Sequence, residues 1–273
     1  MKAHSVHFFE PFRSAWKHRS LIWQMGKREV IGRYRGSILG LAWSFFNPIL
    51  MLLVYTFVFS VVFKARWGVG EDNSKVQFAI VLFVGLIVHN LFAECINRAP
   101  GLILSHANYV KKVVFPLEIL PLVALSSALF HTLVSFAVLL VAIFVLNLFI
   151  PWTAVFFPLV MFPLLVITVG VAWFLAATGV FIRDINQITG IITTVMLFLA
   201  PVFYPLSALP EQYQSFLFIN PLTYIIEEIR NVLIFGNMPD WSAWSIYLGL
   251  SLLIAWVGFW WFQKTRKGFA DVL

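Results

Sequence analysis

Residues 122–146 read LVALSSALFHTLVSFAVLLVAIFVL, and these 25 residues contain no Asp, Glu, Lys or Arg. Because a helix of about 20 mostly apolar residues crosses the hydrocarbon core of a bilayer, the segment is long enough to span a membrane. Further segments of similar apolar character predict five more spans, at 38–62, 78–97, 154–182, 188–204 and 243–263. The span at 188–204 is short and ends at Pro205.

The composition supports a membrane protein. The chain is 61% hydrophobic and 11% charged, whereas an average soluble domain carries roughly 25% charged residues. A water-soluble fold could not cover so much apolar surface, so lipid must solvate it. The sequence therefore predicts an all-α integral membrane protein with six transmembrane helices, 1–273 forming one domain.

Residues 205–242 are apolar in places but do not fit a seventh span. Glu227, Glu228 and Arg230 fall within four residues, and each charge at mid-membrane costs about 2.5–3.5 kcal/mol on insertion scales. Because proline is common in the first turn of a helix, the prolines of this segment predict where two short helices begin. We predict that these helices dip into the periplasmic side of the membrane as re-entrant elements before the last span.

Lys and Arg mark the cytoplasmic side of membrane proteins. Of the 19 Lys and Arg residues, 15 lie in segments that six spans would place on one side, and 4 lie on the other. The 15 are in 1–36, 98–116, 183–187 and 264–273, and the 4 are in 63–77 and 205–242. Both termini are therefore predicted to be cytoplasmic.

Residues 8–35 predict an amphipathic helix. Phe9, Trp16, Trp23 and Val30 recur every seven residues, with basic residues on another face. Aromatic anchors opposite a cationic face favour a helix in the headgroup layer. The alternative is a helix that docks on the protein itself.

Arginines in the same N-terminal region are candidates for binding lipid phosphates. Arg33 and Arg35, just before the first span, could bind phosphate in bidentate fashion, and Arg28 lies on the basic face. The alternative for each is a topology signal with ordinary headgroups as partners.

The run 27–43, KREVIGRYRGSILGLAW, followed by Asn47 and Pro48, resembles the opening of permeases in type-2 ABC exporters. The closest branch is the one that exports O-antigen, capsular polysaccharide and teichoic acid. The turn Arg183-Asp184-Ile185, the motif 220–223 (NPLT) with the following Arg230, and the order of elements agree with that family.

The resemblance implies a homodimeric permease in the bacterial inner membrane, bound to two copies of a separate ATP-binding subunit. Its substrate would be a lipid-linked glycan, with O-antigen as the best candidate. The sequence lacks a Gly-x-x-x-x-Gly-Lys-Ser/Thr phosphate loop. We therefore expect ATP and Mg in the partner subunit, no cofactor, metal or catalytic residue in this chain, and membrane lipids rather than nucleic acid as further partners.

Two cytoplasmic segments are candidates for contact with the ATPase, on the strength of the resemblance. The first follows span two and mixes polar, aromatic and basic residues, and the second is the turn after span four. Solvated connections are the alternative for both. The candidate contacts are His106, Asn108, Tyr109, Lys111, Arg183 and Asp184.

A long glycan would slide best along many weak contacts, and aromatic rings can stack on sugar faces by analogy with base stacking. The alternative for each ring is contact with lipid or core. The candidate pathway residues are Phe45, Phe46, Tyr55, Phe59, Phe198, Phe203 and Tyr204. The short outer helices, with Glu227, Glu228 and Arg230, would form a periplasmic gate.

Four polar residues within the spans are predicted to have structural roles. Glu94 could pair with Arg98 four residues later and stabilise the bundle. His89, Asn90 and His131 are predicted to form hydrogen bonds between helices.

Three other functions remain open at this stage. The same architecture could move a drug, haem or a simple lipid. An ion-driven flippase would need ion sites at broken helices, which the scarcity of buried charge disfavours. A membrane enzyme would need clustered His, Asp or Glu, and only Glu227 and Glu228 come close.

Overall fold

The computed structural model describes residues 7–62, 75–110, 115–147 and 149–273, and this part of the chain is helical with no β-strand. The first seven helices are α1 Glu10–Lys17, α2 Arg19–Tyr34, α3 Trp43–Tyr55, α4 Lys75–Arg98, α5 Leu102–Ser105, α6 Ala107–Val110 and α7 Leu120–Asn147. The others are α8 Phe157–Phe181, α9 Ile185–Phe198, α10 Glu211–Leu217, α11 Pro221–Arg230, α12 Trp241–Thr265 and α13 Phe269–Val272. The predicted all-α class is confirmed.

Five helical segments among the described residues are long and apolar enough to cross a membrane, which makes the chain a multi-pass membrane protein. They coincide with predicted spans one to four and six. Their bounds are Gly40–Val58, Phe78–Ser105, Leu117–Val145, Trp152–Phe181 and Trp241–Val272.

The predicted fifth span, 188–204, overlaps α9, which begins at Ile185 and ends at Phe198 and is shorter than the five long apolar segments. Its 14 residues extend about 21 Å at 1.5 Å per residue, against a hydrocarbon core of about 30 Å. After α9 the chain turns, and the Tyr204 hydroxyl donates a hydrogen bond to the carbonyl oxygen of Phe198 at 2.8 Å. The sixth crossing therefore stays a prediction.

Helix α4 lies at the centre of the bundle. Residues 78–88 are all buried, because α4 packs against α3, α7, α8, α9 and α11. A run of apolar residues without a polar stripe suits a helix that is enclosed on every side. The polar residues of α4 come later, from His89 to Arg98, and these build the site described below.

Helices α8 and α12 make the closest helix pair. Gly170 on α8 faces α12, and a Cβ added there would lie 2.5 Å from the Cα of Ala255. A Cβ on Gly258 would overlap the carbonyl group of Gly170. Small residues allow membrane helices to approach backbone to backbone, where van der Waals packing replaces the hydrophobic effect.

The predicted N-terminal helix is two helices, α1 and α2, joined at His18. The side that packs on the protein is small: Ser14 is buried, and Gly26 lies against Ser126 of α7. Trp16 and Trp23 point outward, with 72% and 71% of their surface exposed. The face with the small residues Ser14 and Gly26 packs on the protein, as the docking alternative predicts. The outward aromatic rings are typical of a helix at the membrane interface.

The region 205–242 contains the two short helices predicted from its prolines, α10 and α11. Pro210 precedes α10 and Pro221 begins α11. The side chain of Asn220 accepts a hydrogen bond from the backbone N–H of Leu222 at 3.0 Å, which caps α11. Whether these helices are re-entrant stays a prediction.

Candidate functional site

A polar cavity of about 450 Å³ opens where the end of α2 meets α3, α4 and α7. Helices α3, α4 and α7 are mostly apolar, so the clustering of their polar side chains here is a local exception. The neutral polar residues that line it are Tyr34, Ser44, Asn47, Asn90, Asn97, Thr132 and Ser135. Burial raises the pKa of Tyr34, whose phenol is therefore neutral at physiological pH.

Charged residues of the cavity are arranged in pairs. The guanidinium of Arg33 donates to Glu94 Oε1 at 2.6 Å and lies 3.1 Å from His131 Nδ1. His131 Nδ1 is also 3.2 Å from Glu94 Oε2. Arg98 pairs with Glu29 of α2 and lies 3.7 Å from Glu94. These contacts fasten α2 to α4 and α7.

The structure adds contacts to those predicted from the sequence for these polar residues. The Glu94–Arg98 pair is present, but Arg33 and His131 come closer to Glu94 than Arg98 does. His131 contacts a neighbouring helix as predicted, and His89 lies 2.9 Å from the carbonyl oxygen of Thr193 on α9. Asn90 instead lines the cavity.

Arg33 differs from the other two predicted headgroup contacts. Its side chain donates to Glu94 although 42% of it stays exposed, and Arg28 and Arg35 are exposed as well. The role of all three at lipid phosphates stays a prediction.

The predicted ATPase-contact segments lie at one end of the bundle. Gly179, near the end of α8, packs against the backbone of Pro100, just before α5. This contact brings the turn with Arg183 and Asp184 towards the segment that holds α5 and α6. Arg183, Asp184 and Asn108 are exposed.

Aromatic stacking gives the first of these segments its shape. The His106 and Tyr109 rings stack with centroids 5.5 Å apart, and the Tyr109 and Phe115 rings stack at 4.3 Å. Lys111 lies outside the described residues.

A further ion pair holds this end together. Arg266, just after α12, donates to Glu118 Oε2 at 2.6 Å and to the carbonyl oxygen of Phe115 at 3.1 Å. Ser14 of α1 donates to the other carboxylate oxygen of Glu118 at 3.2 Å. Glu118 therefore connects the N-terminal helix, the start of the third span and the C-terminal end of the last span. The sequence analysis missed this connection, because its members are more than 100 residues apart.

The predicted pathway aromatics belong to two surface helices and the turn beyond. Phe45 and Phe46 on α3 are 49% and 53% exposed, and Phe198 at the end of α9 is 60% exposed. Tyr55, Phe203 and Tyr204 are half-buried. Phe59 lies in the widened helical segment Thr56–Val62. Both α3 and α9 pack against α4, but their function as a pathway stays a prediction.

The predicted gate residues have unequal environments. Arg230 is fully buried and donates to the carbonyl oxygens of Val81 on α4 and Val202 after α9, at 3.2 and 3.3 Å, and to Glu227 at 2.7 Å. Glu228 is buried and accepts a hydrogen bond from the backbone N–H of Asp240. Arg230 thus joins α11, α4 and the segment after α9. The role of α11 in a gate stays a prediction.

These features define a multi-pass helical membrane protein with a polar cavity near one end of its bundle. Residues 20–234 match the ABC-2 type transporter family, and the chain belongs to this family.

Named relatives align over most of their length. The chain is 28% identical to the O-antigen export system permease protein RfbA of Myxococcus xanthus, over 95% of this chain and 97% of the relative. It is 26% identical to the protein of the same name from Klebsiella pneumoniae, over 88% and 90%. It is 24% identical to the polysialic acid transport protein KpsM of Escherichia coli, over 85% and 88%.

Proposed function

We propose that this chain is the membrane-spanning subunit of an ATP-driven exporter of lipid-linked polysaccharide, with O-antigen as the best candidate. Two copies of the chain pair in a bacterial inner membrane with both termini in the cytoplasm. Two copies of a separate subunit bind them and hydrolyse ATP with Mg. The glycan moves from the cytoplasmic to the periplasmic side.

The observation that carries the proposal is the near full-length alignment with permeases named for O-antigen export, over 95% and 88% of this chain. A third relative is named for transport of polysialic acid, another polysaccharide. A shared cargo class among relatives that align along their whole length favours a glycan over a drug, haem or a simple lipid.

Coupling to a separate ATPase is supported by the ordered end of the bundle. Asn108 and Asp184 are exposed there, while Glu118 and Arg266 tie the neighbouring backbone together. A displacement of this surface by a partner would be carried to the third and last spans through the Glu118–Arg266 pair.

Pairing of two copies is supported by polar groups on the face formed by α3, α4 and α9. Asn47, Asn90 and Asn97 are exposed on that face at membrane depth. Polar side chains facing lipid are costly and normally face a bundle interior or a water-filled space. A second copy opposite this face would enclose a water-filled space between the two chains, so that these amides, the cavity they line and the exposed aromatics of α3 and α9 would face that space instead of lipid.

Reconstitution of the permease with its ATP-binding subunit tests the function. In proteoliposomes we expect glycolipids extracted from the source organism to stimulate ATP hydrolysis, and labelled glycan to reach the opposite leaflet only with ATP. Export by the permease alone would contradict the proposal. Stimulation by haem or a drug, without stimulation by the glycolipids, would favour the alternative cargo.

The aromatic pathway gives a separate prediction. The double substitution Phe45→Ala and Phe198→Ala should lower export by roughly tenfold, since each ring lost from a stacking contact is worth about 0.5–1.5 kcal/mol. Both rings are exposed in the single chain, so membrane abundance should be unchanged. Polymer at the cell surface is the measurement. The matched control, Phe45→Tyr with Phe198→Tyr, keeps both ring faces and should export normally; full export by the alanine pair would refute the pathway.

A further inference from the structure

The cavity between α2, α3, α4 and α7 has no role in the pathway predicted from aromatic residues. It lies at the end of the bundle that carries the N-terminal helices, where α4 finishes at Arg98. Its volume of about 450 Å³ falls within the range of roughly 300–1,000 Å³ found for small-molecule pockets. A cavity of this size is large enough to hold part of a cargo molecule.

The charges of the cavity do not favour an anion. Arg33 is paired with Glu94, and Arg98 is paired with Glu29 and lies near Glu94. Two guanidinium groups are thus matched by two carboxylates. A phosphate would have to displace a carboxylate that is already held by a charge-assisted hydrogen bond.

The neutral groups of the cavity suit a ligand rich in hydroxyls. Asn47 and Asn90 each offer an amide that both donates and accepts, and the Ser135 hydroxyl does the same. Sugar hydroxyls also donate and accept, so these groups complement them. Exposed amides from two different helices, together with a hydroxyl from a third, can bind several positions of one sugar ring.

His131 also lines the cavity. Its Nδ1 lies 3.1 Å from the Arg33 guanidinium and 3.2 Å from Glu94 Oε2. These contacts hold the imidazole in the cavity wall.

We propose that this cavity binds an uncharged sugar residue of the lipid-linked glycan before transport, with Asn47, Asn90 and His131 as the contacting residues. Arg33 and Glu94 are positioning residues, since they hold His131 and the end of α2 around the cavity. The proposal rests on the function proposed above and specifies where that permease first recognises its cargo.

Cysteine protection tests the site in the complete complex with its ATPase. Ala93→Cys places a thiol in the lining of the cavity without removing a proposed contact, while the native Cys95 is buried and gives little background. Gln212→Cys is a control on α10, exposed and away from the cavity. The probe is the glycolipid fraction of the source organism, and a second sample of it has its sugars removed by glycosidases.

We expect the intact fraction to slow maleimide labelling of the Ala93→Cys variant, but not of the Gln212→Cys variant, and the sugar-free fraction to have no effect. Equal protection by the sugar-free fraction would overturn the proposal in favour of a phosphate or lipid-tail site. Absence of protection by a fraction that stimulates ATP hydrolysis would overturn it too. If that fraction does not stimulate ATP hydrolysis, the proposed function itself fails, and this inference with it.

Two further variants separate a sugar from a phosphate. Asn90→Leu removes one amide and should weaken glycolipid binding by roughly five- to tenfold, from about 1 kcal/mol for each hydrogen bond lost. Asn90→Asp keeps an acceptor for a hydroxyl and should retain most of the binding. Loss of binding in Asn90→Asp that equals or exceeds the loss in Asn90→Leu would contradict a sugar site, because an added negative charge repels phosphate.

Discussion

Replacing Arg230 by methionine is expected to destabilise the permease by about 3 kcal/mol or more. Methionine fills part of the space but removes every donor, and the arginine donates to Val81, Val202 and Glu227 from a fully buried position. Hydrogen bonds to charged groups contribute about 1.5–3 kcal/mol each, and breaking a buried pair costs about 3–5 kcal/mol. The thermal unfolding midpoint of the purified protein in detergent should fall by several degrees, and membrane abundance should fall with it.

Two controls show where this effect comes from. Arg230→Lys keeps the charge but lacks the planar fork that reaches three acceptors, so an intermediate loss is expected. Glu227→Gln keeps an acceptor for Arg230 but leaves the fully buried guanidinium without a counter-charge, so a measurable loss, smaller than that of Arg230→Met, is expected. A stable Arg230→Met variant that fails to export would instead support the gate role predicted from the sequence.

The spans were predictable because their physical cause is local. A bilayer requires long uncharged runs, and residues 122–146 meet that requirement within one continuous stretch. The short outer helices were also predictable, since a proline near the first turn marks where each begins. The 14-residue length of α9 had a signal in Pro201, which lies inside the predicted span and disfavours a helix through the residues before it, but the apolar character of 199–204 favoured a longer span.

The cavity could not be predicted, because its residues come from separate helices. Asn47, Asn90 and His131 each look like an isolated polar residue in an apolar segment, and no local spacing relates them. Arg33 shows the same difficulty, since a basic residue before a span predicts a headgroup contact while the folded chain pairs it with Glu94. Only the packing of α2 on α4 and α7 reveals the difference.

Substitution of Gly258 should have the largest effect on the packing of the bundle. A side chain at this position overlaps the carbonyl of Gly170, and backbone cannot rotate away as a flexible side chain can. Helices α8 and α12 would have to separate, and overpacking of this kind costs about 1–3 kcal/mol for an added methyl and more for a branched residue. Gly258→Ala should therefore lower the unfolding midpoint, and Gly258→Val should abolish accumulation in the membrane.

Gly249 provides a matched control on the same helix. Nothing lies within 4 Å of a Cβ built there, so Gly249→Ala should raise stability by up to about 1 kcal/mol through helix propensity alone. Opposite shifts of the unfolding midpoint in the two alanine variants would establish that close approach, rather than helix propensity, decides the effect at Gly258. Equal shifts would contradict the tight crossing. Because α12 leads to Arg266, which pairs with Glu118 at 2.6 Å, Gly258→Ala should also weaken coupling to ATP hydrolysis.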